Sequence, residues 1–221
     1  MIRLVLATAN PHKVQEIAPL LEGSGVELVP VTSLVDPWEV EETGATLEEN
    51  ALLKARAAVI ATGLPAVGDD TGLFVAALDG APGVWSSRYA GPACSYEDNR
   101  RKLLEGLRGV AAEARGARFR TVVALACPDG SERAFEGTLA GSIATSPRGT
   151  GGFGYDPVFV LSGGATLAEL SLESKNEVSH RAAAFRAFTA WVAGRGPGRI
   201  CPCDPPGGIL EAEQAFSKEE A

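Results

Sequence analysis

Residues 149–157 read GTGGFGYDP: four glycines within six positions, an aromatic residue among them, and an Asp-Pro at the exit. Gly149, Gly151 and Gly154 spell G-x-G-x-x-G, so a dinucleotide-binding fold is the first reading to test. That fingerprint has to follow a strand and open a helix. Here the apolar PVFVL follows, which predicts entry into a strand, and Pro157 disfavours helical backbone at Asp156. The stretch is therefore read as a loop whose glycines bring backbone close to a ligand while Phe153 offers a ring face.

Outward from that loop, the chain alternates strand and helix signals. Met1 to Ala7 (MIRLVLA) and residues 26–31 (VELVPV) are apolar runs of strand length with a helical pattern between them, a β-α-β opening. Thr46-Leu-Glu-Glu49 spells a capping box before an Ala-rich helix running to about Ala61. LPAVGDD predicts a short strand ending in two carboxylates and a Gly turn. A third helix is expected from Ser95 to Leu107. RTVVALA, a Pro-Asp-Gly turn and SERAFEGTLAGSIA predict a hairpin. The apolar stripe Ala183, Phe185, Phe188, Trp191 and Val192 marks a last helix from Ser179 to Ala193. Residues 194–208 are dominated by Gly and Pro, so the fold is expected to end near 193, with 194–221 a disordered tail that has a short acidic end.

Composition bounds the function. A chain of 221 residues, 45% hydrophobic, buries a sizeable core as one large domain or as two lobes sharing a sheet. The formal net charge of -8 argues against nucleic acid as a partner, because sequence-independent binding comes from Lys and Arg neutralising phosphates. No apolar run approaches the roughly 20 residues that cross a bilayer, so no membrane partner is expected. Cys94, Cys127, Cys201 and Cys203 lack C-x-x-C spacing and the N-terminus lacks a secretory pattern; a reduced, cytoplasmic protein is the expectation.

Several polar segments then carry the chemistry. Asn10-Pro11 is a helix-start signal after the first strand, and Thr8 and Lys13 flank an end suited to phosphate. Asn50 and Lys54, four apart, share a helical face. Asp69-Asp70-Thr71-Gly72 puts paired carboxylates on the rim where α/β sites gather, and such oxygens suit Mg²⁺. Ser179-His180-Arg181, shortly after Lys175, combines a cap, an imidazole and a guanidinium fit for a polar ring or a phosphate.

Together TANPHK (8–13), EETGATLEENALLKA (41–55), GDDTGL (68–73), GAPGVWSSRYAG (80–91), GTGGFGYDPVF (149–159) and SHR (179–181) resemble the inosine triphosphate pyrophosphatase family, in the family's order. The resemblance covers residues 1 to about 193. It implies an elongated mixed α/β fold, a central sheet with flanking helices and two lobes around a nucleotide cleft, commonly as a homodimer. It also implies Mg²⁺-dependent hydrolysis of non-standard purine nucleoside triphosphates (ITP, dITP, XTP) to monophosphate and pyrophosphate. By the same resemblance Thr8, Ala9, Asn10, Pro11, His12 and Lys13 contact the triphosphate and Lys54 holds or polarises it. Glu42 and Asp70 serve the metal, and Asp70 is also the proton acceptor. Thr71 replaces a common Ser. Phe153, Gly154, Tyr155, Asp156, Lys175, His180 and Arg181 surround the nucleotide. Pro11-His12 departs from the smaller residues of many relatives. A nucleotide-binding regulator without turnover would keep the cations and Phe153 but has no need of paired carboxylates.

Overall fold

A computed structural model describes residues 2–195 and 199–201. The opening is the parallel β-α-β unit that the apolar runs predict: β1 (Ile2–Leu6), α1 (Pro11–Ile17) and β2 (Val26–Pro30). Asn10 caps α1, its side-chain oxygen accepting from His12 N at 3.0 Å, and Pro11 fills the first turn where no donor is lost. The capping box of Thr46 and Glu49 starts α2 (Leu47–Thr62), and left-handed Gly63 stops it. A second box, Ser95 with Asp98, starts α3 (Tyr96–Gly106).

The remaining strands are β3 (Ala66–Val75), β4 (Pro82–Gly83), β5 (Gly116–Ala126), β6 (Glu132–Ile143) and β7 (Phe159–Val160). They complete a mixed sheet in the order β2-β1-β3-β5-β6-β7, with β4 paired to β3. β1 runs parallel to β2 and β3, and the pairs from β3 to β7 are antiparallel. A short α4 (Leu172–Val178), without a sequence signal of its own strength, precedes α5 (His180–Ala193), which Ser179 caps as expected.

β3 corrects the sequence reading. It does not end at Asp69-Asp70 in a Gly turn but passes through both, in register with Val123 and Val122 of β5. Gly72 is strand, not turn: a Cβ there would lie 2.7 Å from the Gly83 carbonyl oxygen, so the bare backbone is what lets β4 approach.

On one face the long strands serve two apolar cores. Val67, Val123 and Leu125 pack with Ile2, Leu4, Leu6, Phe185 and Phe188. Leu73, Val75, Ala117 and Phe119 pack with Phe159 and Leu167 toward the other end. Residues two apart on a strand share a face. On this face, then, Asp69, Thr71 and Thr121 form a polar interruption between the two cores, and the cleft opens there. Two glycines let helices pack close on the two faces of the sheet at this point: a Cβ at Gly137, on the interrupted face, would sit 2.1 Å from the His180 carbonyl of α5, and one at Gly68, on the opposite face, would sit 2.2 Å from the Ala51 carbonyl of α2.

Beyond α5 the chain returns to the first core. Ile200 and Cys201 are buried there, and Cys201 forms a disulfide with Cys127 at the end of β5. Both the expectation of reduced thiols and that of packing ceasing near 193 are corrected for these residues. A bridge across 74 residues leaves no local spacing to read. Cys94 is free. Cys203 and the rest of the tail lie outside the described residues.

Candidate active site

The polar midpoint of β3 lines a cleft of about 340 Å³. One wall comes from the first β-α junction. Thr8 is buried and its hydroxyl accepts from Asn10 N at 3.1 Å, while Ala9 and Asn10 line the cleft directly. Lys13 Nζ lies 2.9 Å from Asp69 Oδ1 and donates to the Asp69 carbonyl at 3.1 Å. Pro11 and His12 are exposed and do not line the cleft; His12 stacks on Phe153 instead, with ring centroids 5.4 Å apart.

On the α2 side, Lys54 Nζ sits between two carboxylates, 2.7 Å from Glu42 Oε1 and 2.9 Å from Asp70 Oδ1. The i, i+4 partner Asn50 reaches Asp70 Oδ2 at 3.4 Å. On the α5 side, Arg181 donates to Glu16 Oε2 at 2.5 Å, to Asp69 Oδ2 at 3.3 Å and to Thr71 Oγ1 at 3.2 Å. A hydroxyl relay follows, Thr71 to Thr121 at 2.6 Å and Thr121 to His180 Nδ1 at 2.6 Å, with His180 stacked on Phe119.

The glycine loop forms the far wall. Gly149 and Gly152 both have positive φ. A Cβ on Gly149 would meet the Ala168 backbone at 2.4 Å, and one on Gly152 would meet Asp156 Oδ2 at 2.0 Å. These two glycines bring backbone close to the protein itself, so that the loop can wrap the Asp156 carboxylate. That carboxylate accepts from Phe153 N at 2.8 Å and from Lys175 Nζ at 2.5 Å; Lys175 also donates to Glu16. Phe153 is half-buried with Lys175 and Arg181 within 5.5 Å of its ring centre. The Gly154 carbonyl accepts from Arg100, and the Tyr155 hydroxyl donates to the Ser86 carbonyl.

Carboxylates match or outnumber the cations within this cleft. Lys13, Lys54, Lys175 and Arg181 all face carboxylates: Glu16, Glu42, Asp69, Asp70 or Asp156. The cations therefore gather as the sequence suggests, but none brings surplus charge. Burial works to raise Asp69, yet Lys13 and Arg181 override it and hold the carboxyl well below the usual range. Burial pushes Asp70 up, with Glu42 adding to the rise, against the pull of Lys54 and Lys13. Burial opposes the charge on Lys54, but Asp70 and Glu42 outweigh it and raise its pKa. His180 is pushed well below its ordinary value by burial and by the Arg181 and Lys175 charges, so the ring is neutral.

The Ham1 family model matches residues 4–191, and thus includes every cleft residue named above. The chain belongs to the Ham1 family. The dITP/XTP pyrophosphatase of Geobacter sulfurreducens is 55% identical over 186 residues, 84% of this chain and 94% of the relative. That of Streptomyces coelicolor is 49% identical over 195 residues, 87% and 98% of the two chains. Among solved structures, a HAM1 protein from Coxiella burnetii superposes with a TM-score of 0.80 at 41% identity, covering 88% of this chain and all of that one. Among the described residues of this Ham1 family member, no helix is long and apolar enough to cross a membrane.

Three cleft partners escape the sequence reading. Glu16 has only its i, i+3 spacing from Lys13 as a signal, Thr121 only its polarity within an apolar strand, and Arg88 only its place in GVWSSRYAG. All three act by holding another side chain: Glu16 holds Lys175 and Arg181, Thr121 holds His180, and Arg88 holds Glu42.

Proposed function

We propose that the protein hydrolyses non-standard purine nucleoside triphosphates (dITP, XTP and ITP) at the α–β bond, releasing the monophosphate and pyrophosphate, with Mg²⁺ as cofactor. The names of the relatives support the substrate class. The observation that carries the reaction is Lys54 shared by Glu42 and Asp70 on the wall of a cleft whose other wall is an aromatic ring. A turnover-free binding module has no use for the second carboxylate.

The donor set fits Mg²⁺. Glu42 and Asp70 are hard oxygen donors that converge within 3 Å of one cation, and Mg²⁺ commonly takes one or two carboxylates together with substrate phosphates. The charge balance of the cleft also calls for a metal, since a triphosphate brings several negative charges and the cations present are already matched. When bound, Mg²⁺ supplies charge neutralisation and Lewis acidity at the phosphates. The protein's own residues do the rest. Thr8, Ala9, Asn10 and Lys13 receive the triphosphate, and Lys54 faces the phosphoryl oxygens. Asp70, lifted by burial, takes the proton of the attacking water. Phe153 supplies the stacking face, which tolerates any purine. Selectivity comes from donors at the base edge: a 6-oxo group accepts where adenine presents an amino donor, and the mismatch leaves buried groups unpaired.

The test is kcat/KM for dITP, XTP, ITP, GTP and ATP with pyrophosphate as the product followed. The reading expects the first three to exceed ATP by at least tenfold. Equal rates on all five, or no turnover with any, would overturn it.

A further inference from the structure

Glu42 differs from the other cleft carboxylates in having no regular element beneath it. The segment from Leu34 to Thr46 contains no helix or strand. Trp38 packs on an apolar cluster. Among the described residues, the main chain of 39–43 is hydrogen-bonded only at the Glu42 carbonyl, and the donor is Arg88 Nη2 at 2.9 Å. The same guanidinium reaches the carboxylate: Arg88 Nη1 lies 3.0 Å from Glu42 Oε2, on the side opposite Lys54. Arg88 is itself fixed. It ends a single 3-10 turn, Ser86–Arg88, and its guanidinium lies 4.5 Å from the centre of the Trp85 ring. Two parallel donors from one planar group fix a loop residue in place and orientation, which an ammonium cannot reproduce.

We propose that Arg88 is a positioning residue for the divalent metal: it clamps the backbone and carboxylate of Glu42 so that one Glu42 oxygen faces the cleft beside Asp70. The inference rests on the proposed metal role of Glu42. Arg88 does not line the cleft, and it acts through Glu42.

The experiment compares wild type, Arg88→Ala, Arg88→Lys, Glu42→Gln and the Arg88→Ala/Glu42→Gln double variant. Mn²⁺ binding is measured by calorimetry in the presence of an α,β-methylene analogue of dITP, so no turnover is needed. Half-saturating Mg²⁺ is measured in dITP hydrolysis. Arg88→Ala is expected to weaken Mn²⁺ and raise half-saturating Mg²⁺ about tenfold, with the nucleotide KM at saturating Mg²⁺ changed less than threefold. Arg88→Lys, which reaches one of the two acceptors, recovers part of the loss and serves if the Ala variant is poorly folded. The double variant should bind Mn²⁺ no worse than Glu42→Gln alone, within twofold. A double variant whose loss is the product of the two single losses would overturn the proposal, as would unchanged Mn²⁺ affinity in the Arg88 variants. Wild-type protein that binds Mn²⁺ with this pattern but releases no pyrophosphate would count against the proposed reaction and leave the clamp standing.

Discussion

On the face of β3 turned to α1 and α5, Asp69 is 1% exposed and pressed between Lys13 and Arg181; one residue later, on the face turned to α2, Asp70 is 6% exposed and meets Lys54 and Asn50. Neighbours in sequence, they are held in opposite directions, Asp69 far below the usual carboxylate range and Asp70 above it. The strand alternation is the cause, since it hands each side chain to a different helix. Under the proposed reaction the difference separates two tasks. Asp69 is matched to buried cations and keeps the cleft assembled, whereas Asp70 shares its single cation with Glu42 and is left able to take a proton.

Exchanging each carboxylate for its amide separates the two roles. Asp70→Asn is expected to lower kcat about 1000-fold, within the range general-base removal produces, while the urea midpoint moves little. Steady-state kinetics beside urea unfolding measures both. Asp69→Asn should do the reverse. Removing one partner of a buried ion pair costs about 3–5 kcal/mol, so the unfolding free energy drops by that amount and any loss of activity follows the folded fraction. Equal effects of the two amides on stability would mean that the two carboxylates play the same structural part.

The first core offers a smaller test. Cys201→Ser removes a bridge closing 74 residues and is expected to cost about 2–4 kcal/mol without altering KM, read from denaturation in the absence of reductant. A midpoint equal to wild type would mean that the segment around Ile200 contributes nothing to the first core.

The smallest effect concerns pH. His180 has a folded pKa well below 6.5, so the unfolded chain binds a proton that the folded one does not. Its contribution to stability is complete above about pH 6.5 and is lost as pH falls toward the folded value, at up to about 1.4 kcal/mol per unit. His180→Gln should flatten the decline between pH 6.5 and 5; a wild-type curve already flat there contradicts the neutral, buried ring.

Much of this arrangement is legible in the sequence because local chemistry carries it: Asn10-Pro11, Thr46 to Glu49 and Ser179 each start the helix their spelling predicts. Asp69-Asp70-Thr71-Gly72 misleads for a physical reason. Its composition is that of a turn, and only cations from three distant elements, Lys13, Lys54 and Arg181, make two carboxylates tolerable inside a strand. The same holds for Glu16 and Arg88, whose partners lie far along the chain, and for Ile200, hidden in a Gly/Pro-rich run but buried in the first core.

The proposed reaction requires that water attack the α-phosphorus beside Asp70. Hydrolysis of dITP in ¹⁸O-labelled water with Mg²⁺, followed by mass spectrometry of the products, tests it directly. The expected products are dIMP and pyrophosphate in equal amounts, with the label in dIMP and both products lost in Asp70→Asn. Label in pyrophosphate, or dIDP with orthophosphate, would contradict it.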